Sequence, residues 1–116
     1  MPVRGIRGAT TVAANNKKEI IKATKELLLA IVKKNKIKIP DIASIIFSAT
    51  RDLDAEFPAV AAREMGWKNT PLMCCYEIDV PGGLRQCVRI LMHVNTGKKQ
   101  SAIKSVYLKE AQKLRN

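Results

Sequence analysis

Arg89 stands in the middle of the most apolar stretch of this chain, Cys87-Val88-Arg89-Ile90-Leu91-Met92-His93-Val94. A strand period of two puts Val88, Ile90, Met92 and Val94 on one face and Cys87, Arg89, Leu91 and His93 on the other. A guanidinium stays charged at any ordinary pH, so on a face shared with Leu and Cys it must reach water or meet an anion. Polar groups recur at other strand positions: Arg7 in the first strand, Cys74 and Glu77 in the third, and Tyr107 in the tail. Surface residues on edge strands would explain any one of them. Together they describe a pocket with two guanidiniums, a phenol and a carboxylate, suited to a small, multiply anionic ligand bearing a hydroxyl.

Acid–base and covalent chemistry find little support. A single histidine on a strand offers no Ser-His-Asp arrangement. Gly82-Gly83 lacks the Lys-Ser/Thr and helix that make a phosphate loop. Asp52, Asp54 and Glu56 read as a solvated loop rather than a hard-cation site. Cys74-Cys75 and Cys87 form neither a CxxC site nor a disulfide framework, and no metal or cofactor is expected.

Val3 to Val12 reads as a first strand, with Gly5 and Gly8 marking a close approach to the backbone or a bulge. Asn16 with Glu19 is a capping-box-like start to a helix that Ile20, Ile21, Leu27, Leu28, Ile31 and Val32 carry to about Lys34. A turn at Pro40-Asp41 precedes a short buried strand, Ser44 to Ala49, and then a polar loop to Glu56. Pro58 opens a short helix, Ala59 to Met65, closed by Gly66. Leu72 to Ile78 is a third strand, Pro81-Gly82-Gly83 a turn, and the Arg89 strand follows. The tail from Ala102 to Arg115 fits strand or helix. The expected fold is a single α+β domain over residues 1–116, a mixed β-sheet with helices on one side.

The formal net charge of +11 suggests nucleic acid at first sight. Fourteen of the 21 basic residues are lysines, however, on segments that read as helix surface and loops. Aromatics make up only 4% of the chain, and none interleave with a basic run. A solvated lysine surface explains the charge better than a nucleic-acid partner. Arg4, Arg7, Arg63, Arg85 and Arg89 instead fall in structured or motif-like segments, which points to a smaller anion held by geometry. No signal-peptide pattern or membrane-spanning run is visible, so the expected place of work is a reducing cytoplasm, with no membrane partner.

Arg4-Gly5-Ile6-Arg7-Gly8-Ala9-Thr10-Thr11, Phe57-Pro58-Ala59 with Arg63-Glu64, the run from Cys74 and Glu77 through Asp79-Val80, Gly82-Gly83-Leu84 and Cys87-Val88-Arg89, and Val106-Tyr107-Leu108 resemble the monofunctional chorismate mutases of the AroH class. The resemblance runs from Val3 to Arg115 in one order. It implies a homotrimeric pseudo α/β-barrel with active sites at subunit interfaces, converting chorismate to prephenate on the route to phenylalanine and tyrosine.

The same resemblance implies residue roles. Arg7 and Tyr107 would hold a substrate carboxylate, and Glu77 with Cys74 would bond the ring hydroxyl. Arg89 would face the ether oxygen of the breaking bond; with Glu77 and Arg7 it forms the expected catalytic set. Phe57, Ala59 and Leu72 would wall the pocket, Met73 would contribute backbone, and Arg63, Leu114 and Arg115 would lie at its mouth. Two departures bear on the site. Val60 stands where a lysine is common, and Met73 where a small polar residue is usual. They motivate an alternative reading, a binding module of the same fold without turnover. A basic nucleic-acid-binding protein is the other alternative.

Overall fold

The computed structural model describes residues 1–114. Four long or medium strands and one short one form a single sheet: β1 (Val3–Thr11), β2 (Ile42–Ala49), β3 (Leu72–Tyr76), β4 (Cys87–Asn95) and β5 (Val106–Tyr107). Their spatial order is β3-β2-β4-β1-β5. The central β4 is antiparallel to both β1 and β2, while the outer strands β3 and β5 run parallel to β2 and β1. The α+β reading with a mixed sheet holds.

The long helix α1 (Lys17–Asn35) begins where the cap pattern expects, with Asn16 Oδ1 accepting the Glu19 amide at 2.9 Å. It ends at Lys36, whose left-handed backbone closes the last turn on Val32 and Lys33 carbonyls. Ile20, Leu27, Leu28 and Ile31, all fully buried, face the sheet. The short helix α2 (Val60–Glu64) packs beside α1, placing Ala61 and Ala62 in the same core. On the sheet, Ile6, Phe47, Ile90 and Met92 complete it.

Alternation divides the sheet as expected. Val88, Ile90, Met92 and Val94 are buried under the helices, and Arg89, Leu91 and His93 turn to the other face. Gly8 lies close under α1: a Cβ there would stand 2.7 Å from Ile31 Cδ1 and 3.2 Å from both Leu27 Cδ1 and the Val106 carbonyl oxygen.

Two expectations change, and the open reading of the tail resolves. The Ser44–Ala49 strand is not buried on both faces, because Ser44, Ile46 and Ser48 open opposite His93, Leu91 and Arg89. β3 stops at Tyr76, which leaves Glu77 beyond the strand, tied to the end of β2 by one bond from its amide to the Ala49 carbonyl at 2.9 Å. The tail is both strand and helix: β5, then a 3-10 turn (Lys109–Leu114) that folds over the open face and buries Ala111 against Ala9 and Cys87.

Candidate active site

The open face of β1 and β4 and the tail surround a cavity of about 500 Å³. Arg7, Arg89, Tyr107 and Leu114 line it, with Ile46, Ser48, Leu91 and Lys113. Arg7 and Arg89 come from adjacent antiparallel strands, two residues apart in register, since Arg7 faces Leu91 and Ala9 faces Arg89. Tyr107 arrives beside them because β5 pairs with Ala9. β5 is in turn held by Asn35 at the end of α1. The Asn35 amide is buried, donates to the Ile31 and Lys104 carbonyls at 3.0 and 2.9 Å, and accepts the Lys104 amide at 2.8 Å.

Glu77 meets Arg89 from the side. Its Oε2 lies 3.2 Å from Arg89 Nε and accepts the Ser48 hydroxyl at 3.0 Å. The Arg89 Nε–H is buried and is not aligned on that oxygen, so this ion pair is a charge contact rather than a directed hydrogen bond. Arg89 also borders a second cavity of about 460 Å³, enclosed by Glu77, the 78–85 turn, Arg51 and Asp52. Asp52 anchors that turn: both carboxylate oxygens accept the Gln86 amide, at 3.1 and 3.0 Å, where Gln86 takes a left-handed backbone. Asp54 likewise binds Asn15, and Glu56 lies 3.6 Å from Lys17, so the acidic loop serves the fold.

The remaining expected residues lie elsewhere on the chain. Cys74 pairs with the core residue Phe47 on the helix side of the sheet. It lines a cavity of about 330 Å³ with Phe57, Pro58 and Tyr76, away from Arg7, Arg89 and Tyr107. Within one chain Cys74 and Glu77 therefore line different cavities. Leu72 and Arg63 border another hollow with Trp67 and Thr70. Met73 lies on the open face at the outer strand and is 62% exposed. Ala59 is buried and lines none of these cavities, and Val60 packs its side chain against the core. Arg115 lies outside the described residues. Burial pushes the Cys74 and Cys87 thiols up, with Arg63 and Arg89 respectively among the groups pulling the other way.

Ser48 and Lys113 are members of the cavity that the sequence did not reveal. The β-branched run around Ser48 reads as a buried strand and hides it, although strict alternation from Ser44 exposes it. Lys113 carried no signal, because the tail had no readable period.

Similarity to known proteins decides what this constellation belongs to. The model of the family chorismate mutase type I matches residues 3–116. This chain belongs to that family. It is 47% identical over 116 residues to the chorismate mutase AroH of Bacillus subtilis (strain 168), covering 99% of this chain and 91% of that protein. The AroH of Thermus thermophilus is 44% identical over 114 residues, 97% of this chain and 93% of that one. A solved chorismate mutase from Clostridium thermocellum superposes with a TM-score of 0.92 at 56% identity, covering 93% of this chain and 96% of that chain. The chorismate mutase fold here thus carries its arginine pair on one open sheet face.

Proposed function

We propose that this chorismate mutase rearranges chorismate to prephenate in the cavity lined by Arg7, Arg89 and Tyr107, completed by a second copy of the chain. The observation that carries the reading is the convergence of two guanidiniums and a phenol on one open cavity, with the Glu77 carboxylate 3.2 Å from one of them. Chorismate is a dianion with a ring hydroxyl and an enol ether. In its rearrangement one carbon–oxygen bond breaks as one carbon–carbon bond forms, and no proton, nucleophile or metal takes part.

Two contributions then account for catalysis. Arg7 and Tyr107 bind carboxylate and hold the compact, pre-reactive conformer, an orientation effect. Arg89 faces the ether oxygen and stabilises the charge that grows there in the transition state, without reorganisation. Glu77 accepts the ring hydroxyl. The diene absorbance of chorismate reports turnover directly, and wild-type protein that leaves it at the uncatalysed rate would sink the reading.

The second copy follows from the division of the site. Phe57, Arg63, Leu72, Met73 and Cys74 flank the outer strand β3 and α2, while the cationic cavity lies across β1 and β4. A closed homotrimer brings the first group of one copy against the second group of the next. The sheet's open face supports this, since Val3 (53% exposed), Leu91 (37%) and Met73 (62%) present apolar side chains where a solvated face would be polar. In such an assembly Phe57 and Leu72 wall the pocket with Ala59 packed behind them, Cys74 and the Met73 backbone join it, and Arg63, Leu114 and Arg115 stand at its mouth. Three free thiols suit a reducing cytoplasm, and no helix among the described residues is long and apolar enough to cross a membrane.

A further inference from the structure

We propose that Ser48 is a positioning residue for the rearrangement: it holds one carboxylate oxygen of Glu77 so that the other faces the ligand. The inference rests on the role given to Glu77 above and extends it to β2. Ser48 is the direct partner of Arg89 in the β2–β4 ladder, so their side chains adjoin on the open face. Its hydroxyl donates to Glu77 Oε2 at 3.0 Å, and Arg89 Nε lies 3.2 Å from the same oxygen. Among the described residues no hydrogen bond reaches Oε1. That oxygen is left to accept the ring hydroxyl.

Glu77 needs such a hold. It lies past the end of β3, followed by the exposed residues Ile78 and Asp79, and a long carboxylate side chain there has several staggered conformers open to it. The Arg89 contact alone does not choose among them, because its Nε–H is not directed at the carboxylate. A serine hydroxyl has one proton to donate, and committing it to Glu77 fixes the direction that the arginine leaves open. The same clamp keeps Glu77 beside Arg89, so a carboxylate that swung away would also release the guanidinium from its place in the cavity. Ser48 therefore acts through Glu77 and makes no bond to the ligand itself.

Steady-state kinetics on chorismate with Ser48→Ala, Ser48→Val and Ser48→Thr test this. Valine and threonine have the same shape, so the pair isolates the hydroxyl. The expected result is a loss of roughly tenfold in kcat for alanine and valine, the scale of one hydrogen bond to a charged group, with threonine within about threefold of wild type. Thermal unfolding of the alanine and threonine variants stays near wild type. In a Glu77→Ala background, Ser48→Ala costs nothing further. Full activity in Ser48→Ala while Glu77→Ala is impaired overturns the proposal, as do losses that add in the double variant. An unimpaired Glu77→Ala enzyme overturns instead the role of Glu77, and is recognised by that variant alone.

Discussion

Arg89 carries the largest share of the chemistry proposed here, and its environment says why an arginine is needed. In its proposed role Arg89 is a fixed planar cation whose Nε side rests against Glu77, which leaves its outer nitrogens to an oxygen that gains charge late. Arg89→Ala, or replacement by neutral citrulline, is expected to lower kcat by about 10²–10³-fold, roughly 3–4 kcal/mol, while KM changes little. A variant with near-normal kcat would remove Arg89 from the reaction. Lys113 belongs to capture rather than to the barrier. It lines the same cavity but is 72% exposed and pairs with Glu110 at 2.9 Å, which holds the Glu110 carboxyl below the usual range. Lys113 thus brings a cation from the tail to the cavity. Lys113→Ala should raise KM a few-fold at low salt, with the difference shrinking as ionic strength rises; a KM indifferent to both is the contrary result. Arg89 was legible because a charge in an apolar strand is conspicuous. Ser48 and Lys113 were not, since small polar and lysine side chains are ordinary at exposed positions.

At the scale of elements, the site depends on how closely α1 lies on the sheet and how firmly its end holds β5. Gly8 marks the approach and Asn35 the hold. Gly8→Ala should cost about 1–3 kcal/mol in unfolding free energy, because the new methyl meets Ile31, Leu27 and a backbone oxygen. Ile31→Val, which removes the nearest atom, should recover part of it in denaturant titrations. Asn35→Ala should cost about 1–3 kcal/mol by stranding the Lys104 amide and carbonyl. It should also raise KM, because Tyr107 follows that anchor by three residues; unchanged KM would show that β5 holds itself. The α1 boundaries could be read from a cap and a sustained helical period, and β4 from clean alternation. The tail could not, for a two-residue strand and a 3-10 turn have no period to detect. The apolar pattern runs on to Ile78 and so puts Glu77 on β3, while the pairing with β2 ends at Tyr76.

For the whole molecule, the face of the sheet on which Cys74 lies was the least legible feature. Which side Cys74 faces depends on the parallel register of β3 on β2, a non-local pairing that no local pattern encodes. The proposed trimer gives a direct expectation. Arg89→Ala and Arg63→Glu each disable a different contribution to the pocket, so each alone is nearly inactive. Unfolded together at equal amounts and refolded, they should regain about a quarter of wild-type activity, since random mixing in a closed ring places two intact contributions side by side that often. No recovery, with mixed oligomers verified by mass, would mean that each chain holds its site alone.

If the proposed trimer joins Phe57 and Cys74 of one copy to Arg7 and Arg89 of the next, substrate becomes a term in the assembly equilibrium. A molecule that binds only where two copies meet stabilises the joined state by RT ln(1 + [L]/Kd), about 2.7 kcal/mol at a hundredfold excess over Kd. Dissociation on dilution and thermal unfolding should both retreat as an unreactive dianionic analogue is added. The cell's supply of substrate would then set how much enzyme is assembled as well as how fast it works.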